Sequence, residues 1–191
     1  MTERSLPNRP SGGTPERHLP WRLAGWGLAG ALLLAPLVAM QFTDEVQWTM
    51  GDFFVFGLML GTAGALLELA VRNGGNGAYR LGVALTVFGA FLLLWINLAV
   101  GIIGSEENPA NLLFGTIFAV LFVGALLSRG QAAGLARTLY GAAVVQLAIA
   151  LLAAVLGLGN IFLISAVFTL IWLLAAGSFR KSAGKLNAAV S

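Results

Sequence analysis

Residues 80–107 read RLGVALTVFGAFLLLWINLAVGIIGSEE, and this stretch decides the fold. Between Arg80 and Glu106 lie 25 consecutive residues without a formal charge. Coiled as a helix at about 1.5 Å per residue, such a run is long enough to cross the roughly 30 Å hydrocarbon core of a bilayer. Its cationic end and its acidic end are therefore expected on opposite faces of a membrane. Working outward from it, five more apolar stretches appear, so that the predicted spans are 22–42, 53–72, 80–104, 110–128, 136–158 and 161–179. A span needs about 17–25 mostly apolar residues, and all six qualify. The links between them are short, which brings each helix back antiparallel beside its neighbour. The fold class is all-α: a polytopic membrane protein with a six-helix transmembrane bundle.

Composition points the same way. Of 191 residues, 58% are apolar and 10% charged, against about 45–50% and 25% in a soluble domain. A soluble globular protein, a disordered chain and a disulfide scaffold are excluded. There is no cysteine and one histidine, His18. Thiolate metal sites, iron–sulfur clusters and a bis-histidine haem within one chain are excluded with them. No cofactor is expected. The net charge of +3 matters here for orientation, and no nucleic-acid partner is expected.

Residues 1–20 hold Pro7, Pro10, Pro15 and Pro20 with Arg4, Arg9 and Arg17. They cannot bury enough apolar area to offset backbone entropy and are read as a disordered basic cytoplasmic tail. Residues 181–191 form a second, short basic tail. The first apolar run is about twice the length of a signal-peptide core, so it is read as an uncleaved helix. Numbering sides by alternation from the tail, Arg4, Arg9, Arg17, Arg22, Arg72, Arg80, Arg129, Arg137, Arg180, Lys181 and Lys185 fall on one side, which is 11 of 11 basic residues. The other side carries Asp44, Glu45, Asp52, Glu106 and Glu107. By the positive-inside rule both termini are cytoplasmic and the number of spans is even. Trp21, Tyr79 and Trp48 fall at interfacial positions. Gly57 and Gly61 form a small-xxx-small pair, read as ordinary bundle packing. Arg72/Arg80 and Arg129/Arg137 share a spacing of eight, as a parallel duplication or coincidence would give.

Polar groups inside a span are costly and mark candidate sites. Gln146 lies near the middle of the fifth span and Asn97 about two turns from the outer end of the third. Each is read first as interhelical glue. Glu68 stands four residues before Arg72, a favourable helical ion pair; a buried proton carrier is the sharper alternative. The outer face holds a polar cluster of Asp52, Asn97, Glu106, Glu107, Asn108 and Asn111. Asn108 and Pro109 are turn and N-cap chemistry. The cluster is either a solvated acidic loop or an oxygen-rich site for a hard cation or a substrate amine.

The segment from Asn97 to Leu112, NLAVGIIGSEENPANL, resembles a stretch in a family of small, uncharacterised bacterial inner-membrane proteins. The family pair often reads Glu-Asp where this chain has Glu106-Glu107. The likeness extends loosely to Glu68 with Arg72 and to Ala78-Tyr79-Arg80. The resemblance implies a bacterial cytoplasmic membrane and a six-helix body, with no activity assigned, and suggests that Asn97, Glu106, Glu107, Asn108 and Asn111 act together. The expected function is a non-catalytic accessory or structural membrane subunit. Its expected partners are the lipid bilayer and either another membrane protein or a second copy. The alternative is a small transporter or channel for a cation or small solute, entered at the acidic outer mouth. An enzyme is not expected, because no nucleophile stands beside a base.

Overall fold

In lipid a backbone can satisfy its polar groups only internally, and the apolar runs are too uniform for any strand alternation. The computed structural model, which describes residues 19–72 and 75–188, is accordingly helical: α1 (Leu19–Ala39), α2 (Met50–Arg72), α3 (Gly77–Ala99), a 3-10 helix (Pro109–Phe114), α4 (Gly115–Ser128), α5 (Ala132–Val155) and α6 (Phe162–Ala188). Among the described residues six helical segments are long and apolar enough to cross a membrane, the fourth being Pro109–Ser128 with the 3-10 turn included. The expected tail at residues 1–18, with His18, lies outside the described residues.

The chain divides into two compact units, Met1–Phe54 and Val55–Ser191. In the first, α1 carries Pro36 inside it and ends three residues later. The start of α2 is held by a reciprocal cap. The Thr49 backbone N–H and hydroxyl donate to Asp52 Oδ2 at 2.7 and 2.8 Å, and the Asp52 N–H returns a bond to Thr49 Oγ1 at 3.3 Å. This is a capping box with Asp in the position usually held by Glu or Gln. Trp48 stacks edge-on against Phe53 beside it, ring centroids 5.1 Å apart.

In the second unit α5 packs against both α4 and α6, and α3 packs against α6. The α5 face is a stripe of small side chains, Ala136, Ala142, Ala143, Ala150 and Ala153, all buried. α6 buries large side chains, Phe168, Trp172 and Phe179. Small residues let backbones approach, which is what drives association where lipid removes the hydrophobic incentive. The same logic joins α3 to α6. A Cβ on Gly82 would stand 2.9 Å from the Phe179 ring, and one on Gly89 2.8 Å from Ile171 and 2.9 Å from Trp172. Gly61, by contrast, faces open space. Gly89→Ala is expected to destabilise the unit by about 1–3 kcal/mol through overpacking, whereas Gly61→Ala should stabilise it by up to about 1 kcal/mol through helix propensity. Thermal melts of the two variants in mild detergent check the opposite signs.

One end of this unit gathers the basic residues. The Asn76 side chain caps α3 at the Tyr79 N–H (3.0 Å) and donates to Ser182 O on α6 (3.4 Å). Tyr79 Oη donates to Gly130 O in the α4–α5 link at 3.0 Å and its ring packs on Phe179. Arg80 reaches Val71 O at 3.4 Å, and Arg180 reaches Tyr140 Oη at 3.3 Å. The end of α2, the start of α3, the end of α4, the start of α5 and the last turns of α6 therefore lie together. Arg72, Arg80, Arg129, Arg137, Arg180, Lys181 and Lys185 belong to those segments.

Most helix boundaries differ from the sequence reading by one to three residues, and four differences have a physical reason or go further. α3 ends at Ala99 rather than 104, because Gly101 turns left-handed (φ +76°) and the N–H groups of Val100 and Gly101 both close onto Ile96 O. The first turn of the fourth span is 3-10 rather than α. α5 begins at Ala132 rather than 136, since the link needs only Arg129 (φ +48°) and Gly130 (φ +77°) to reverse the chain. α6 runs on to Ala188 rather than 179. Its Arg180, Lys181 and Lys185 suit a helix C-terminus, where cations offset the dipole, so most of the expected C-terminal tail is helix.

Candidate functional site

The link between α3 and the 3-10 helix is built around one amide. Asn111 Oδ1 accepts the N–H groups of Ile102 (3.0 Å) and Ile103 (2.8 Å), and its Nδ2 donates to Ile103 O (3.3 Å) and Ser105 O (2.7 Å). These bonds fold residues 101–105 back so that Ile102 and Ile103 are buried, Ile103 completely. A buried backbone needs a partner for each polar group, and Asn111 supplies four in a segment that has no helix to supply them. Gly101 is required here. At its positive φ a side chain is strained, and a Cβ would strike the Ser105 carbonyl. Asn108 caps the 3-10 helix, its Oδ1 accepting the Ala110 N–H at 3.0 Å.

Glu106 and Glu107 are exposed at the tip of this link. A cavity of about 450 Å³ opens beneath them, lined by Leu94, Asn97, Glu106, Glu107, Asn108, Asn111 and Phe118 among others. The structure thus brings together five of the six residues of the expected outer cluster. Asn97 is half-buried in its wall, and its Oδ1 is buried without a hydrogen-bond partner. Asp52 lies in the first unit, where its carboxylate is engaged in the Thr49 cap. Asn111 is the stabiliser of the link, and both ends of its amide are occupied. It therefore adds little to a cation shell. Among the described residues no group of three His, Asp or Glu side chains is placed to hold a metal ion.

A second cavity of about 300 Å³ lies between α2, α3 and α4, lined by Leu58, Met59, Ala63, Leu66, Val87, Phe91 and others. The two share Leu94 and Phe118. α2 reaches α3 in this unit through Phe56, whose ring lies tilted against Phe91 (5.9 Å between centroids) and Trp95 (4.5 Å).

Gln146 is fully buried, as its place in the hydropathy pattern implied. Its Nε2 donates to Ser165 Oγ on α6 at 3.3 Å, and its Oε1 has no partner. Further along α6 are two groups the sequence reading missed, Thr169 and Trp172, with Oγ1 and Nε1 buried and unpartnered. Ser165, Thr169 and Trp172 are spaced four and three apart, one face of α6. That periodicity was visible, but Ser, Thr and Trp are common enough in apolar helices not to stand out. Glu68 pairs with Arg72 at 3.9 Å, the arginine side chain 72% exposed and the glutamate 22%. This is the surface pair expected from the i, i+4 spacing.

The chain matches no known family profile, no curated protein and no solved structure.

Proposed function

We propose that this is a multi-pass protein of a bacterial cytoplasmic membrane, related to the family that its 97–112 segment resembles. Both termini are cytoplasmic, and the protein acts as a non-catalytic accessory or structural subunit. The observation that carries the reading is charge segregation along the second unit. Seven basic residues belong to segments gathered at one end, Glu106 and Glu107 stand at the far end of α3, and apolar helices run between them. Cationic loops stay on the cytoplasmic side. The buried polar groups are amide, hydroxyl and indole, none of which changes protonation near neutral pH, and this supports a structural rather than an acid–base role.

The absence of cysteine in the chain makes the test direct. In intact cells a membrane-impermeant maleimide should label Ser105→Cys, and should label Gln131→Cys only after permeabilisation. The reverse pattern would overturn the orientation. Transport of a cation or small solute is the second reading, favoured by the unpartnered Gln146, Thr169 and Trp172 groups. It requires liposome flux that falls at least about tenfold in Gln146→Leu, the order of effect of removing one strong polar contact. No flux above empty liposomes would dismiss it.

A further inference from the structure

We infer that the paired cavities of the second unit form one binding groove for a membrane lipid carrying a primary ammonium headgroup, a phosphatidylethanolamine-type phospholipid. The inference rests on the membrane reading above and deepens it.

The groove has one floor. Val87, Ala90, Phe91, Leu94, Asn97 and Leu98 contribute it from α3, and their spacing of three and four places them on one helical face. From Val87 to Asn97 that stripe is about 15 Å long. Its lower part is walled by apolar side chains of α2 and α4, and its upper part opens under the 101–111 link. An apolar slot continuous with a polar mouth is the outline of an amphiphile, and neither a free ion nor a soluble solute needs the lower half.

The mouth determines the headgroup. Glu106 and Glu107 are exposed carboxylates, which only accept hydrogen bonds. Neither forms an ion pair among the described residues, and the basic side chains of this unit lie in the segments gathered at its other end. Asn97 adds a buried acceptor with no partner. Such a mouth favours a cationic donor and disfavours a headgroup with net negative charge. A primary ammonium supplies three N–H donors, and a quaternary one supplies none. The amide Nδ2 groups of Asn97 and Asn108 remain for the phosphate oxygens.

The experiment uses the full chain in mild detergent, exposed to an equimolar mixture of phosphatidylethanolamine, phosphatidylcholine and phosphatidylglycerol with identical acyl chains. Bound lipid is counted by native mass spectrometry. The ethanolamine lipid should be retained roughly three- to fivefold over the choline lipid, the effect of one exposed charge-assisted contact, and by more over the glycerol lipid. The double variant Glu106→Gln, Glu107→Gln should bring the three to parity. Ala63→Phe, which fills the lower slot, should reduce retention of all three while the melting temperature stays within a few degrees. Equal retention by the unaltered protein would overturn the proposal. A preference that survives the double variant would do the same, and so would full retention by Ala63→Phe. Failure of the membrane reading itself would appear separately, in the maleimide labelling, so the two failures are distinguishable.

Discussion

Asn111→Ala is expected to lower the stability of the full chain by about 3–5 kcal/mol, read as a fall in melting temperature in mild detergent. The substitution removes four hydrogen bonds. A net contribution of about 1 kcal/mol each is typical, and a donor left buried and unpaired costs about 1–3 kcal/mol. The N–H groups of Ile102 and Ile103 are in that position, because Ile103 is fully buried and cannot turn to water without withdrawing its side chain from the core. Asn111→Asp keeps the acceptor but sets a carboxylate oxygen, which can only accept, against Ile103 O and Ser105 O, so its loss should be at least as large. Asn108→Ala removes one capping bond at the same link and should cost about 1 kcal/mol. If Asn111→Ala and Asn108→Ala proved equally mild, the 101–105 segment would not be organised by that amide.

The second large effect is at Trp172. Its ring is fully buried, stacked near Phe168 at 6.5 Å between centroids, and it fills the space over Gly89. Trp172→Ala leaves a cavity at the α3–α6 contact and should cost about 3–5 kcal/mol. Trp172→Phe removes less volume and also removes the Nε1 donor that has no partner. Eliminating an unsatisfied buried group offsets part of the packing loss, so this variant should stay within about 1.5 kcal/mol of the unaltered protein. Parallel melts of the two variants decide it. A Trp172→Phe loss as large as that of Trp172→Ala would mean that the indole N–H is bonded.

The outer cluster shows how far residue type alone leads. Glu106, Glu107, Asn97, Asn108 and Asn111 were recognisable as polar groups clustered beside an apolar run, and they do line one cavity. Their division of labour was not legible. Asn111 and Asn97 are the same amide in the same alphabet, yet one makes four bonds inside the link and the other leaves an oxygen buried and unpaired. Gly101 explains the difference. By ending α3 it turns the Ile102 and Ile103 N–H groups toward Asn111, and a pattern that reads 101–104 as helix hides that event.

Helicity, the number of apolar segments and the segregation of charge follow from the chain read alone. They depend on local quantities: the length of an uncharged run against the bilayer's thickness, and the sign of the residues at its ends. Gln146 stood out for the same reason, as an amide in the middle of a long apolar run. Its partner Ser165, the stranded Thr169 and Trp172 groups, the fit of Gly82 and Gly89 against α6 and the groove along α3 were decided only by the tertiary structure. Each depends on how a helix is rotated and how closely it approaches its neighbour, and in a uniformly apolar helix no polar face exists to announce that rotation.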